Sequence, residues 1–241
     1  MPDEWVKIWR LLRDITVVPG REQNAPALQK ALHNSGMFWE GKLGSAFRSG
    51  ADGLFQIHLP IDGDLKGGLL GSMLTSRGSE MLGSDLIGKC LDGLEQLQLL
   101  NVSAMEDKGK CLFVIPLRFN GAFSFAQLLI DLGDGCGHGG EKQGKNGIYA
   151  IQLLLDMSAL GPVHVEASVF KKVIKVNFLV SHEAVKEQFE NGIGYLTEAL
   201  AASGFIVKQV GCRCTDRENG VPTTLVDEIL DQEKHHISLV V

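Results

Sequence analysis

Residues 162–180 read PVHVEASVFKKVIKVNFLV, and the spacing of their apolar side chains decides the fold. In the first half, valines alternate with His164 and Glu166, which is the two-residue period of a strand with one buried face. The second half, VIKVNFLV, alternates in the same way. The short connection at Lys171 and Lys172 predicts that the two strands pair as a hairpin, with the valines buried and residues such as His164 at the surface.

A long helix and a further strand follow this hairpin. Ser181 is a plausible N-cap, and Gly204 is a plausible left-handed stop. Between them the apolar positions keep a helical spacing and form one stripe: Val185, Phe189, Ile193, Leu196 and Leu200. Residues 205–214 (FIVKQVGCRC) then resemble a closing strand. The sequence therefore predicts a ββαβ core in an α+β fold, with the helix packed on the valine face.

The segment upstream of the core also has strand periodicity. Apolar runs at 111–119 and 122–132 flank Asn120-Gly121, a pair that favours the positive φ angles of a type I′ hairpin turn. Pro116 cannot donate a ladder hydrogen bond, so the first run is expected at a sheet edge or at a bulge. Ile148–Met157 is a further strand candidate, and the predicted sheet is mostly antiparallel.

The first part of the chain has helical periodicity instead. We expect an amphipathic helix around Trp5–Leu12, two short helices in 25–47, and a helix from about 84 to 101 that leads into a charged turn, MEDKGK. Residues 50–71 are rich in Gly and Asp, which suggests a strand or a loop.

Three regions result from these patterns. A mainly helical N-terminal region comprises residues 1–105, and an α+β domain comprises 111–214. A C-terminal tail at 215–241 carries a Pro-led short helix.

Composition excludes several classes of protein. The chain has 241 residues and a net charge of −6, without a dense run of Lys or Arg, so nucleic acid is not an expected partner. No apolar stretch reaches the roughly 18 to 20 residues that cross a bilayer, and the N-terminus lacks a signal-peptide core. A cytoplasmic location without membrane insertion is expected. The five cysteines are odd in number and irregularly spaced, which favours reduced thiols.

A glycine-rich stretch at 133–147, GDGCGHGGEKQGKNG, partly fits two phosphate-binding patterns. A phosphate loop precedes a helix and ends in Ser or Thr, whereas Asn146 occupies that position and a strand pattern follows. We therefore interpret the stretch as a long connection between two sheet strands. A nucleotide-binding enzyme built on this loop remains the alternative.

The sequence gives only weak indications of a metal site or of nucleophilic catalysis. Cys136 with His138, and Cys212 with Cys214, do not make the paired knuckles of a structural zinc site. There is no G-x-S-x-G elbow, and His164 and His182 are interpreted as surface residues. We predict no catalytic residue, no cofactor and no metal.

The segment Leu155–Cys212 resembles the C-terminal domain of the flagellar hook-length control protein family, FliK. The resemblance rests on Leu160-Gly161-x-Val163-x-Val165, on the helix leucines, and on an Ala-Ser-Gly stop at 202–204. The segment HNSGMFWEGKLGSAF also resembles a stretch found upstream of this domain in similar proteins.

The resemblance implies a non-enzymatic role. The family's C-terminal domain binds the cytoplasmic domain of the flagellar export gate and switches export from hook-type to filament-type substrates. The residues that would bind this partner are Leu160, Gly161, Val163, Val165, Leu196 and Leu200, and plain packing between sheet and helix is the alternative for the valines and leucines among them. No long Pro-, Gln- or Ser-rich ruler precedes the domain, so length measurement is not expected. Export of the chain through the flagellar apparatus, and a structural adaptor role unrelated to export, stay open.

Overall fold

A computed structural model describes residues 3–20, 24–49, 63–75, 81–119, 122–133, 148–157, 160–215 and 220–230. Over these residues the fold is α+β, as predicted, with a helical N-terminal part followed by a mixed β-sheet. The chain divides into two compact units. Unit 1 consists of Met1–Leu100 and Ile115–Phe123, and unit 2 consists of Asn101–Val114 and Ser124–Val241.

Unit 1 is built from helices. Their bounds are α1 (Asp3–Ile15), α2 (Asn24–His33), α3 (Trp39–Ser49), α4 (Leu65–Thr75) and α5 (Met81–Lys108), which continues into unit 2. The amphipathic helix and the two short helices predicted from the sequence correspond to α1, α2 and α3. A cluster of buried side chains from α1, α4 and α5 forms a core: Ile8, Leu69, Ile87 and Leu91.

The expectation of a strand or loop at 50–71 is wrong from Leu65 onward, where α4 begins. Asp64 caps this helix, because its Oδ1 accepts hydrogen bonds from the backbone N–H groups of Lys66 (3.0 Å) and Gly67 (3.2 Å). The glycines that hid the helix in the sequence lie inside it. Residues 50–62 lie outside the described residues.

Helix α5 is longer than predicted at both ends. The charged stretch expected to form a turn continues the helix as far as Lys108. Gly109 then ends the helix with φ +64°, a left-handed conformation that favours glycine. Charged residues such as Glu and Lys are good helix formers, so a charged run alone does not mark a helix end.

The sheet has six strands in sequential order within the described chain. They are β1 (Lys110–Phe119), β2 (Ala122–Asp131), β3 (Ile148–Met157), β4 (Gly161–Phe170), β5 (Val173–Val180) and β6 (Ile206–Cys214). The pairs from β2 to β5 are antiparallel, and β6 is parallel to β5. Strand β1 lies at a sheet edge, as Pro116 predicted. Asn120 and Gly121 lie outside the described residues.

The ββαβ core corresponds to β4, β5, α6 (Glu183–Ala202) and β6. Lys171 takes φ 56° in the turn between β4 and β5, a conformation more usual for Gly or Asn. Gly204 stops α6 with φ 90°, as predicted. Ser181 is not the N-cap, however. His182 occupies that position, and its side chain makes no capping hydrogen bond.

The two faces of the sheet have different coverings. Helix α6 packs on the valine face, as predicted. On the opposite face His164 is only 5% exposed, so its assignment to the surface is wrong. Across the strands His164 lies in register with Leu154 and Gln127, and the backbone N–H of Leu225 donates to Gln127. The C-terminal segment, which includes α7 (Asp227–Leu230), is thus bonded to the face of the sheet that carries His164.

Candidate partner-binding surface

The first half of α6 is anchored on the sheet. Val163 and Val180 are cross-strand partners with no exposed surface, and Val185 of α6 packs against both. The rings of Phe178 and Phe189 meet with their centroids 5.0 Å apart and their planes at 50°. This packing fixes the start of α6 over β4 and β5.

The second half of α6 is covered less completely. Among the residues of this helix, all of which the structure describes, Val185 alone is buried. Ile193, Leu196 and Leu200 lie on the same stripe but keep part of their surface in solvent, and Tyr195 is 81% exposed. Apolar surface that the fold leaves uncovered is available to another chain.

Leu160 and Gly161 form the entry to β4. Gly161 has φ +74° and pairs with Met157 of β3, while the backbone N–H of Leu160 donates to the Met157 carbonyl at 3.1 Å. A residue with a Cβ would be strained at this φ. The Leu-Gly pair therefore serves the geometry of the chain reversal, and the Leu160 side chain is partly buried against the valine cluster.

Strand β6 is the last strand of the sheet in the described part of the chain. Ile206, at its start, is 63% exposed, and Lys208 and Arg213 are exposed along it. The backbone groups on the outer edge of a terminal strand can pair with an extended segment of another protein.

Of the six predicted partner-binding residues, three lie in the cluster under α6, two lie on the second half of α6, and Gly161 lies in the turn into β4. Leu160, Val163 and Val165 belong to the cluster under α6. Val163 is 0% exposed, so in this conformation it can act on a partner only through the packing that it supports. Leu196 and Leu200, one helical turn apart on α6, are partly exposed and can be contacted directly.

The cysteines of the described chain form no disulfide: Cys90, Cys111, Cys212 and Cys214. Burial raises the pKa of Cys111 to about 11 and also raises that of Cys212. Such thiols are protonated at neutral pH and are poor nucleophiles. Within the described residues, no three His, Cys, Asp or Glu side chains group as metal ligands.

The glycine-rich connection lies largely outside the described residues, from 134 to 147. Its two ends belong to adjacent strands, because Asp131 of β2 pairs with Ala150 of β3. A strand follows the glycines, as predicted, whereas a phosphate loop places its backbone amides at the start of a helix. Among the described helices, none is long and apolar enough to span a membrane.

A comparison with protein families found one similarity. The family model described as flagellar hook-length control protein FliK matches residues 137–220. This part of the chain is thus similar to the domain of that family, and we refer to residues 137–220 as the FliK domain. It contains β3, β4, β5, α6 and β6, and thus the whole ββαβ core. No curated protein and no solved structure matches the chain.

All six predicted partner-binding residues lie inside the FliK domain, whereas the C-terminal segment from Val221 onward lies beyond it. The hydrogen bonds that hold this segment on the sheet were not predicted from the sequence. Gln127 Oε1 accepts hydrogen bonds from the backbone N–H of Leu225 (2.7 Å) and from Thr224 Oγ1 (3.1 Å). Lys108 Nζ donates to the Ile229 carbonyl at 2.8 Å. Leu225 and Ile229 are both buried, and their four-residue spacing was the sequence signal that could have indicated this packing.

Proposed function

We propose that the FliK domain of this chain is a non-enzymatic interaction module that binds the cytoplasmic domain of the flagellar export gate. Through this contact it switches export from hook-type to filament-type substrates. The family match and the resemblance of Leu155–Cys212 to the family's C-terminal domain support the proposal. The structural observation that carries it is the incompletely covered second half of α6, beside the outer strand β6.

Two kinds of contact suit this surface. The exposed parts of Leu196 and Leu200 favour association, because each Å² of apolar surface removed from water contributes about 25 cal/mol. Tyr195 adds an exposed aromatic ring, the type of side chain that often dominates the binding energy of an interface. The edge of β6 can add main-chain hydrogen bonds to an extended segment of the gate.

The test is a binding measurement between the full chain and the isolated cytoplasmic domain of the gate, by isothermal titration calorimetry. We expect Tyr195→Ala to weaken binding about tenfold, since aromatic anchors at the centre of an interface cost about 1 to 2 kcal/mol when truncated. The 81% exposure of Tyr195 makes the substitution safe for folding. Adding Leu196→Ala should weaken binding further.

The matched control is Glu187→Ala, an exposed position in the first half of the same helix. It should bind like the unmodified chain. Absence of binding by the unmodified chain would refute the export-gate partner. Equal affinities of Tyr195→Ala, Leu196→Ala and the control would refute the α6 surface.

A further inference from the structure

Unit 1 contains a groove of about 570 Å³ that lies outside the FliK domain. Its apolar lining comes from Val6 and Trp9 of α1 and from Phe123 of β2. Three arginines also line it: Arg10, Arg13 and Arg118. Val6 and Trp9 are more than two-fifths exposed, although an amphipathic helix normally buries such residues.

The groove is held in shape by contacts within unit 1. Val17, two residues beyond α1, forms a parallel bridge with Leu117. In this bridge the Val17 N–H donates to the Pro116 carbonyl at 2.9 Å, and the Arg118 N–H donates to the Val17 carbonyl at 3.0 Å. The bridge places Arg118 beside the residues that follow α1.

An aromatic contact joins two of the residues that line the groove. The rings of Trp9 and Phe123 meet edge to face, with centroids 5.4 Å apart and planes at 79°. Because this contact joins α1 to β2, the concave surface between them is already formed before any ligand binds. A preformed site loses less conformational entropy on binding.

The charged residues that line the groove within the described chain are all arginines. No carboxylate is found among the described residues that line it. Arg13 is near Asp14, with Nε and Oδ1 3.8 Å apart, but both side chains are largely exposed and such a pair is weak. Three guanidinium groups on a chain with a net charge of −6 therefore form a local cationic site.

We propose that this groove binds an acidic peptide segment of a partner protein. An apolar side chain of the peptide packs against Trp9 and Phe123, and flanking carboxylates pair with Arg10, Arg13 and Arg118. Guanidinium groups suit carboxylates because their N–H groups match both oxygens. The concave shape favours an inserted side chain over a membrane, which offers a flat surface. The proposal goes beyond the FliK domain and does not depend on export-gate binding.

The probe is a fluorescein-labelled synthetic peptide in which Glu and Asp flank Leu and Phe, titrated with the full chain by fluorescence anisotropy. A second peptide carries Lys in place of the acidic residues, and vesicles of phosphatidylglycerol form a third arm. We expect the acidic peptide alone to bind, with an affinity that falls as salt is added. Arg10→Gln combined with Arg118→Gln should weaken binding about tenfold, as expected from the loss of two exposed ion pairs.

Arg48→Gln is the matched control, because it removes the same charge from an exposed position of α3 outside the groove. It should leave the affinity unchanged. Equal binding of the lysine peptide, or equal affinities of the double variant and the control, would overturn the proposal. Binding to the vesicles without binding to the acidic peptide would also overturn it, in favour of a membrane surface.

Discussion

Asn101 of α5 pairs with the backbone of Leu112 in β1 through both groups of its amide. Its Oδ1 accepts from the Leu112 N–H and its Nδ2 donates to the Leu112 carbonyl, each at 2.7 Å. Both residues are buried, and β1 lies at a sheet edge. The side chain thus supplies the two hydrogen bonds that a neighbouring strand would otherwise make, and it occupies the edge at this position.

Replacing Asn101 by Ala should lower the free energy of unfolding by about 2 to 6 kcal/mol, because two buried backbone groups lose their partners at about 1 to 3 kcal/mol each. Urea denaturation followed by circular dichroism measures the effect. Val102→Ala, at an exposed position of the same helix, is the control and should change stability by less than about 0.5 kcal/mol. Similar values for the two variants would show that the pairing contributes nothing.

Lys66 of α4 carries a buried ammonium group in a small cluster of charges, and the loss of stability should depend on which member of the cluster is replaced. Its buried Nζ lies 2.6 Å from Glu40 Oε1, 2.7 Å from Gln98 Oε1 and 3.4 Å from Glu95 Oε1. Burial opposes ionisation of Glu40, but the hydrogen bond and charge of Lys66 are among the causes that lower its pKa overall. The ammonium group is buried, whereas both carboxylates are more than half exposed.

Removing the carboxylates should therefore cost more than removing the lysine. With Glu40→Gln and Glu95→Gln together, the ammonium stays buried without a countercharge, and we expect a loss of about 3 kcal/mol. Lys66→Met leaves two carboxylates that water can solvate, and we expect about 1 to 2 kcal/mol. Chemical denaturation compares the variants, with Lys89→Met, in an exposed pair with Asp85, as the control. The reverse order of the two losses would contradict this account.

Much of the fold could be predicted from local pattern alone. The strands β4 and β5 could be predicted because their apolar residues recur at every second position and form the face on which α6 packs. The errors occurred where local composition misled. Helix α4 contains Gly67, Gly68 and Gly71, which are poor helix formers, and its stability comes from packing and from the cap at Asp64.

The candidate site was less accessible to sequence reasoning. The positions of Val163 and Leu196 in their elements could be predicted, but not that one is fully buried and the other partly exposed. That difference depends on how closely α6 approaches the sheet along its length. His164 is buried although it lies on the face opposite the valines, and a two-residue period carries no information about which distant segments pack on that face.

Adding one methyl group at Gly109, by replacing it with alanine, should strongly destabilise the protein. It ends α5 with φ +64°, and a Cβ there would lie 2.7 Å from the Gly133 carbonyl oxygen. Its own carbonyl accepts from the Leu132 N–H at 2.9 Å. Gly109→Ala should cost about 2 to 3 kcal/mol, since left-handed backbone strain and a clash add together.

Gly93 gives the matched control for this substitution, because it lies inside the same helix and a Cβ there meets nothing within 4 Å. Gly93→Ala should stabilise the protein by about 0.5 to 1 kcal/mol, the difference in helix propensity. Thermal unfolding measures the two opposite shifts. Equal shifts would contradict the assignment of Gly109 as a left-handed helix stop.

His164 predicts a dependence of stability on pH. Burial lowers its pKa, and the charges of Glu166 and Glu228 oppose this only in part. The unfolded chain therefore takes up a proton at a higher pH than the folded chain does. The stabilising contribution of the neutral ring is present above the ordinary pKa of about 6.5 and is lost as pH falls toward the lower folded value.

His164→Gln should accordingly flatten the decline in the free energy of unfolding between about pH 7 and about pH 5, because glutamine does not titrate. Urea denaturation at a series of pH values measures the slope. Ser168→Ala, on the same face of β4, changes no titrating group and should keep the slope of the unmodified chain. An unchanged slope in His164→Gln would show that this ring is equally easy to protonate in both states, and that its burial does not control its charge.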